Sequence, residues 1–315
     1  MRVYRNTDFL PLFRNTVLTI GTFDGVHTGH QQVISQMRKR AADIDGETVI
    51  ITFDPHPRTV VKAAMDIRLI NTLDEKIELL YDKCIDHLVI VPFTEKFAQL
   101  SAEDYISQFL IRYFQPHTLI IGYDHHFGKG RGGNYELLLR QSSIYHYQLE
   151  EIPAHVLNSI SVSSTRIRQA IETGDMVSAN SLLGYMYFFT GEITEGNKLG
   201  RTIGYPTANL KVADTCKLIP GDGVYAVDAM ISDEPDKIYK GMMNIGFRPT
   251  VDGSTRTIEV NIFDFDRTIY GKQLKVFVKQ FLRGEQKFEG IAALKQQLAV
   301  DKNNASMDSA LPAEA

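Results

Sequence analysis

Two histidines three residues apart, His27 and His30, carry the most pointed chemistry in the chain. They stand in the run Gly21-Thr22-Phe23-Asp24-Gly25-Val26-His27-Thr28-Gly29-His30. Placed on one helical turn, both imidazoles face one ligand. Two N–H donors aimed at a phosphate stabilise the negative charge that grows there during transfer. Gly21, Gly25 and Gly29 let the backbone turn sharply and come close to a ligand. Metal ligation is the competing use of such a pair, although no cysteine lies in the run.

Three further clusters suit phosphate chemistry. They are Phe53-Asp54-Pro55-His56-Pro57, the Gly-rich stretch from Gly122 to Gly133, and Ser163-Ser164-Thr165-Arg166-Ile167-Arg168. The last sets hydroxyls at a helix start beside two cations, which suits β- and γ-phosphates leaving as pyrophosphate. Serine and threonine at that position are also ordinary helix caps.

A separate constellation lies later, in Gly200-Arg201-Thr202-Ile203-Gly204-Tyr205-Pro206-Thr207-Ala208-Asn209-Leu210. Amides of such a loop can hold phosphates, and no G-K-[ST] follows, so it is not a Walker sequence. In extended chain Thr207 and Asn209 point the same way and offer hard oxygen ligands to Mg²⁺. Turn glycines without a ligand are the plainer alternative. All nine histidines precede residue 156, so a base in this half falls to a carboxylate. Glu259 is the candidate, with Ile258 and Val260 pointing the opposite way into the core. A strand carboxylate that merely faces water has the same spacing.

The elements that position these groups follow from periodicity. Residues 17–20, 48–53, 87–91, 117–121 and 145–152 read as strands. Between them lie helical patterns, one with Val33, Ile34, Met37 and Ala41 on a single face and one opened by the capping box Thr72–Glu75. This alternation, up to about residue 183, predicts an α/β domain with a parallel, Rossmann-like sheet and ligands at the strand carboxyl ends. From about residue 185, strands at 185–194, 223–231, 238–246, 256–264 and 273–279 follow one another across short turns. They predict a small antiparallel β-barrel, with Phe288, Ile291, Leu294 and Leu298 on a closing helix. The expected division is therefore 1–184, 185–300 and a disordered tail, 301–315.

Bulk properties narrow the class. A chain of 315 residues accommodates two domains. A net charge of −4 argues against bulk nucleic acid as a partner. The two cysteines, Cys84 and Cys216, fall in different halves, as expected of a reduced, cytoplasmic protein. No apolar run is long enough to predict a membrane span, and the oligomeric state is left open.

Six motifs in order, from about residue 15 to 300, resemble those of bacterial bifunctional riboflavin kinase/FAD synthetases. They are H-x-G-H, also a signature of the nucleotidyltransferase superfamily, then F-x-P-H-P, G-x-D…F-G-x-x-R-x-G, S-S-T-x-I-R, G-R-x-x-G-x-P-T-A-N and E-V-x-I-F-D-F-D. The resemblance implies that the barrel half moves the γ-phosphate of ATP onto the 5′-hydroxyl of riboflavin, giving FMN and ADP. The first half would then adenylylate FMN to FAD and release pyrophosphate. His27 and His30 match residues that stabilise the α-phosphate transition state, and Glu259 matches the kinase base. Gly21, Phe23, Asp24, Gly29, Asp124, Ser164, Thr165, Arg168, Gly200, Gly204 and Thr207 are implied on the nucleotide. His56, Phe127, Arg283 and Glu285 are implied on the flavin side, and Thr207 and Asn209 on Mg²⁺. His125 departs from the family pattern, standing where many relatives carry Phe.

Overall fold

Apolar and β-branched runs without polar alternation need cover on both faces, which a parallel sheet flanked by helices supplies. The computed structural model describes residues 1–61, 67–123, 125–152, 162–196, 199–250 and 253–307. Its first unit comprises Met1–Ile67 and Asn71–Ser163. The sheet has six parallel strands: β1 (Arg2–Tyr4), β2 (Val17–Ile20), β3 (Thr48–Asp54), β4 (His87–Pro92), β5 (Thr118–Gly122) and β6 (Gln148–Ile152). Their order is β1-β4-β3-β2-β5-β6. The chain leaves β2 toward β3 and β4, then returns to lay β5 on the other side of β2. That reversal opens a crevice at the carboxyl ends of β2 and β5. The H-x-G-H run follows β2 and the Gly-rich stretch follows β5, so the sheet brings both to this switch point.

The helix Thr28–Asp43 buries Val33, Ile34, Met37 and Ala41, the face its spacing predicts. The capping box at Thr72 is present, with Glu75 bonding back to the Thr72 amide. Strand β1 escapes the periodic signal because it is only three residues long and Arg2 and Val3 are exposed. It adds to the sheet by pairing Val3 with Leu88.

The second unit comprises Arg68–Ile70 and Ser164–Ala315. Its barrel closes in the order β10-β11-β8-β7-β12-β9. The strands are β7 (Phe188–Thr194), β8 (Ala208–Lys211), β9 (Gly223–Ile231), β10 (Tyr239–Thr250), β11 (Gly253–Ile262) and β12 (Gln273–Arg283). The division differs from the expected boundary at 184, because the helices Ser164–Glu172 and Met176–Leu183 belong with the barrel. The reason is visible at Asn180, which is buried and accepts from the Tyr187 amide at 2.7 Å while donating to the Val278 carbonyl at 2.9 Å. The segment Arg68–Ile70 is held by Lys217, whose buried ammonium donates to the carbonyls of Ile70 (2.6 Å) and Phe188 (2.8 Å).

The tail also differs from expectation. The last helix runs Ile291–Ser306, so residues 301–306 are helical rather than disordered. Asp301 is 1% exposed and accepts both Nε and Nη2 of Arg283. Ala305 packs against Ala226, Met242 and Phe263. Residues 308–315 of the expected tail lie outside the described residues.

A fragment starting at residue 185 will melt below one starting at Ser164, by several degrees. It exposes the buried Tyr187 amide, and a lost buried partner costs about 1–3 kcal/mol. Parallel thermal melts of the two fragments check this, and coincident melts would refute it.

Candidate functional site

The turn after β2 is held in backbone conformations that most side chains avoid. Phe23 has φ 48° and Val26 has φ 35°, on either side of Gly25 at 94°. A β-branched residue at positive φ costs on the order of 1–3 kcal/mol, and Val26, wholly buried, is held there by packing. The strain has a local result: the chain enters the helix Thr28–Asp43 with His27 as its cap. His27 Nδ1 accepts from the His30 amide at 3.4 Å. That role leaves Nε2 as the proton-bearing nitrogen of a neutral His27.

The two imidazoles stack, with centroids 3.7 Å apart and planes 15° from parallel. Phe23 lies against His30 at 4.8 Å. His30 Nδ1 is buried without a hydrogen-bond partner among the described residues. Burial lowers the His27 pKa to about 4, against the opposing pull of the Asp24 carboxylate. His30 falls well below its ordinary range, first through burial, then through His27 and Lys76. Both rings are therefore neutral near pH 7. The free N-terminal amides of the helix and two neutral N–H donors make this turn suited to an anion.

Asp24, 2% exposed, accepts from the Asn71 amide at 3.2 Å beneath this turn. Lys76, on the helix Leu73–Tyr81, is 6% exposed, and its ammonium lies 3.5 Å from Thr52 Oγ1. Burial lowers its pKa, opposed by Asp24 and Asp54. Sequence reasoning passes over Lys76, since a lysine in a charged first turn reads as a solvated residue. The signal that could find it is its place in the helix that follows the β3 edge.

The buried histidines give a pH dependence with a definite sign. A folded-state pKa near 4 for His27, below the ordinary 6.5, means the unfolded chain binds the proton first. Stability is full above about pH 6.5 and declines as pH falls toward 4. The loss reaches about 3 kcal/mol, from roughly 1.4 kcal/mol per pH unit. Denaturant titrations at pH 7 and pH 4.5 check this, with His27→Asn expected to flatten the difference.

In the second unit the strand register builds the site. Antiparallel pairing sets Glu259 opposite Asn209 and Val260 opposite Ala208. Directly opposed residues share a face, so Glu259 and Asn209 stand together. Ile258 and Val260 are buried on the other face. Thr207 Oγ1 donates to Glu259 Oε2 at 3.2 Å. Asn261, next on the same face and missed in the sequence, donates its amide to the Pro206 carbonyl at 2.6 Å and fixes the approach to Thr207. A Cβ at Gly196 would collide with the Asn209 amide, so glycine lets that loop lie on it. Gly196, Arg201, Pro206, Thr207, Asn209 and Tyr270 enclose a cavity of about 20 Å³, room for a water or a small ion. Oxygen donors from Thr207, Asn209 and Glu259 fit a hard cation. Among the described residues no three His, Cys, Asp or Glu cluster as a metal cage, so such an ion would need further ligands from a bound nucleotide.

Other expected residues are placed differently. Phe127 is buried in the core against Tyr105 at 5.0 Å, and a Cβ at Gly133 would strike its ring. It packs the loop rather than presenting a face to flavin. Arg283 is committed to Asp301 and so anchors the last helix rather than a ligand. Glu285 is exposed, with its carboxylate against Gly246. His56 is half-buried, and its Nδ1 accepts from the Arg58 amide. Ser164, Thr165 and Arg168 lie on a helix of the second unit, not the first as expected. Arg168 Nε donates to the Arg68 carbonyl at 2.8 Å. Gly204 takes φ 88°, and Asp124 lies outside the described residues.

Comparison with known proteins matches each half to a family. Residues 11–166 match the FAD synthetase family and residues 183–307 the riboflavin kinase family. A bifunctional riboflavin kinase/FMN adenylyltransferase of Listeria monocytogenes serovar 1/2a is 36% identical, over 92% of this chain and 91% of its own. The protein of the same name from Escherichia coli strain K12 is 33% identical, over 91% and 90%. A crystal structure described as a macrolide-efflux protein from Streptococcus pneumoniae superposes with a TM-score of 0.87 at 30% identity, covering 98% of this chain and 99% of that one. Among the described residues no helix is long and apolar enough to cross a membrane.

Proposed function

The chain belongs to the bifunctional riboflavin kinase/FMN adenylyltransferase family, and from that premise we propose how its residues divide the two reactions. The enzyme phosphorylates riboflavin to FMN and adenylylates FMN to FAD, with ATP as donor in both. In the first reaction Glu259 takes the proton of the ribityl 5′-hydroxyl as that oxygen attacks the γ-phosphorus, and ADP leaves. Thr207 orients the carboxylate through its 3.2 Å hydrogen bond. Thr207 and Asn209 would hold Mg²⁺, which supplies charge neutralisation on the phosphates when bound. Gly200 and Gly204 shape the loop that receives the nucleotide.

In the second reaction a phosphate oxygen of FMN attacks the α-phosphorus of ATP, and pyrophosphate leaves. His27 and His30 donate to the α-phosphate oxygens as charge accumulates there. Gly21, Phe23, Asp24 and Gly29 shape the turn that receives the phosphates. Ser164, Thr165 and Arg168 bind the departing phosphates, and His56 faces the flavin. Neither step needs a covalent enzyme intermediate. The enzyme works in the cytoplasm.

The observation that carries this reading is the presence of two complete constellations, one in each unit: the stacked His27–His30 pair and the Thr207–Glu259–Asn209 cluster. Incubation with riboflavin, ATP and Mg²⁺, followed by chromatography, tests it. FMN and then FAD should appear. FAD from supplied FMN without FMN from riboflavin would reduce the barrel to a flavin-binding module, and CTP serving better than ATP would overturn the nucleotide assignment.

A further inference from the structure

A lysine ammonium more than nine-tenths buried is costly unless its surroundings compensate it. Lys76 has three N–H donors, and among the described residues its one hydrogen bond is the long contact with Thr52 Oγ1 at 3.5 Å. Thr52 Oγ1 donates in turn to the Thr22 carbonyl at 3.1 Å, inside the strained turn. The charged and titratable groups facing this position come from each neighbouring element. Asp24 comes from the turn, Asp54 from the end of β3, and His27 and His30 from the start of the helix Thr28–Asp43. A purely structural lysine has no reason to sit where two imidazoles and two carboxylates converge at the sheet edge.

We propose that Lys76 is a positioning residue for adenylyl transfer, its buried ammonium balancing Asp24 and Asp54 and holding the His27–His30 stack in its donor form. The chemistry behind this is electrostatic. Asp24 alone would draw a proton onto His27. A protonated His27 Nδ1 could no longer accept from the His30 amide, and the helix cap would break. Two stacked imidazoliums 3.7 Å apart would also repel. A fixed cation beside His30 opposes both events. The ammonium thus acts on the phosphate through the histidines, without needing to touch it.

This inference rests on the assignment of His27 and His30 to the α-phosphate. The test uses the full-length enzyme with Mg²⁺, ATP and supplied FMN, and follows FAD formation from pH 5 to 9. Riboflavin phosphorylation by the same preparation reports on fold. Lys76→Met should lower kcat for FAD formation at least thirty-fold, leave the KM for ATP within about three-fold, and move the acid limb of the profile to higher pH. Lys76→Arg, which keeps the charge, should leave the acid limb where the wild type has it, even if kcat falls. An acid limb that does not move in Lys76→Met, or that moves equally in Lys76→Arg, overturns the proposal. Should Lys76→Met not fold, Thr52→Val decides. It removes the hydroxyl and keeps the cation, so the acid limb must stay fixed, and a shift overturns the proposal. His30→Ala, run alongside, separates the two levels: full activity in that variant defeats the histidine assignment itself, whereas its loss beside an unaltered Lys76→Met profile defeats only the role of Lys76.

Discussion

Replacing His30 by alanine will stop FAD formation and leave FMN formation nearly intact. The expected loss is about 10²–10³-fold in kcat, the usual effect of removing one preorganised donor to a growing negative charge. The local fold should tolerate the change. The cap at the helix start uses the His30 backbone amide and the His27 ring, both of which alanine leaves in place. What disappears is a ring stacked on His27 and touched by Phe23. The kinase constellation shares no residue with this stack, so riboflavin phosphorylation in the same tube serves as the control. Equal loss of both activities would mean that the two reactions do not have separate sites.

Glu259→Gln should show the reverse pattern. Glutamine keeps the volume and an oxygen that can accept from Thr207 Oγ1, so the 3.2 Å contact survives. It cannot take a proton. Loss of a general base typically costs 10²–10⁴-fold, and riboflavin phosphorylation should fall within that range while adenylylation of supplied FMN stays unchanged. Ile258 and Val260 remain buried on the opposite face and keep the strand in register. Normal FMN production by this variant would remove Glu259 from the mechanism.

What could be read in the chain depended on whether a residue's type or its partner carried the information. His27, His30, Thr207 and Glu259 declare themselves because few other side chains suit their chemistry, and the sheet edge and strand pairing then bring each set together. The parallel sheet and the barrel were legible from period and turn spacing. Strand β8 was not, because four residues behind a Gly- and Pro-rich loop carry no period; pairing with β7 and β11 makes it a strand. Arg283 reads as a ligand-facing cation until Asp301, eighteen residues on, takes its guanidinium. Lys76 and Asn261 were hidden for a related reason. Burial of a charged or amide side chain is a property of the folded neighbourhood, and each here works on a neighbour rather than on a ligand.

Lys217 binds the carbonyl of a residue that precedes it by 147 positions. The barrel unit therefore borrows a tripeptide, Arg68–Ile70, from deep inside the sequence of the other unit. No single scission of the gene yields both bodies whole. Two polypeptides made by cutting before Ser164 would leave that tripeptide on the wrong product, and the orphaned ammonium with one carbonyl fewer. Persistence of the two enzymes as one translated chain then has a structural cause that owes nothing to passing FMN between them.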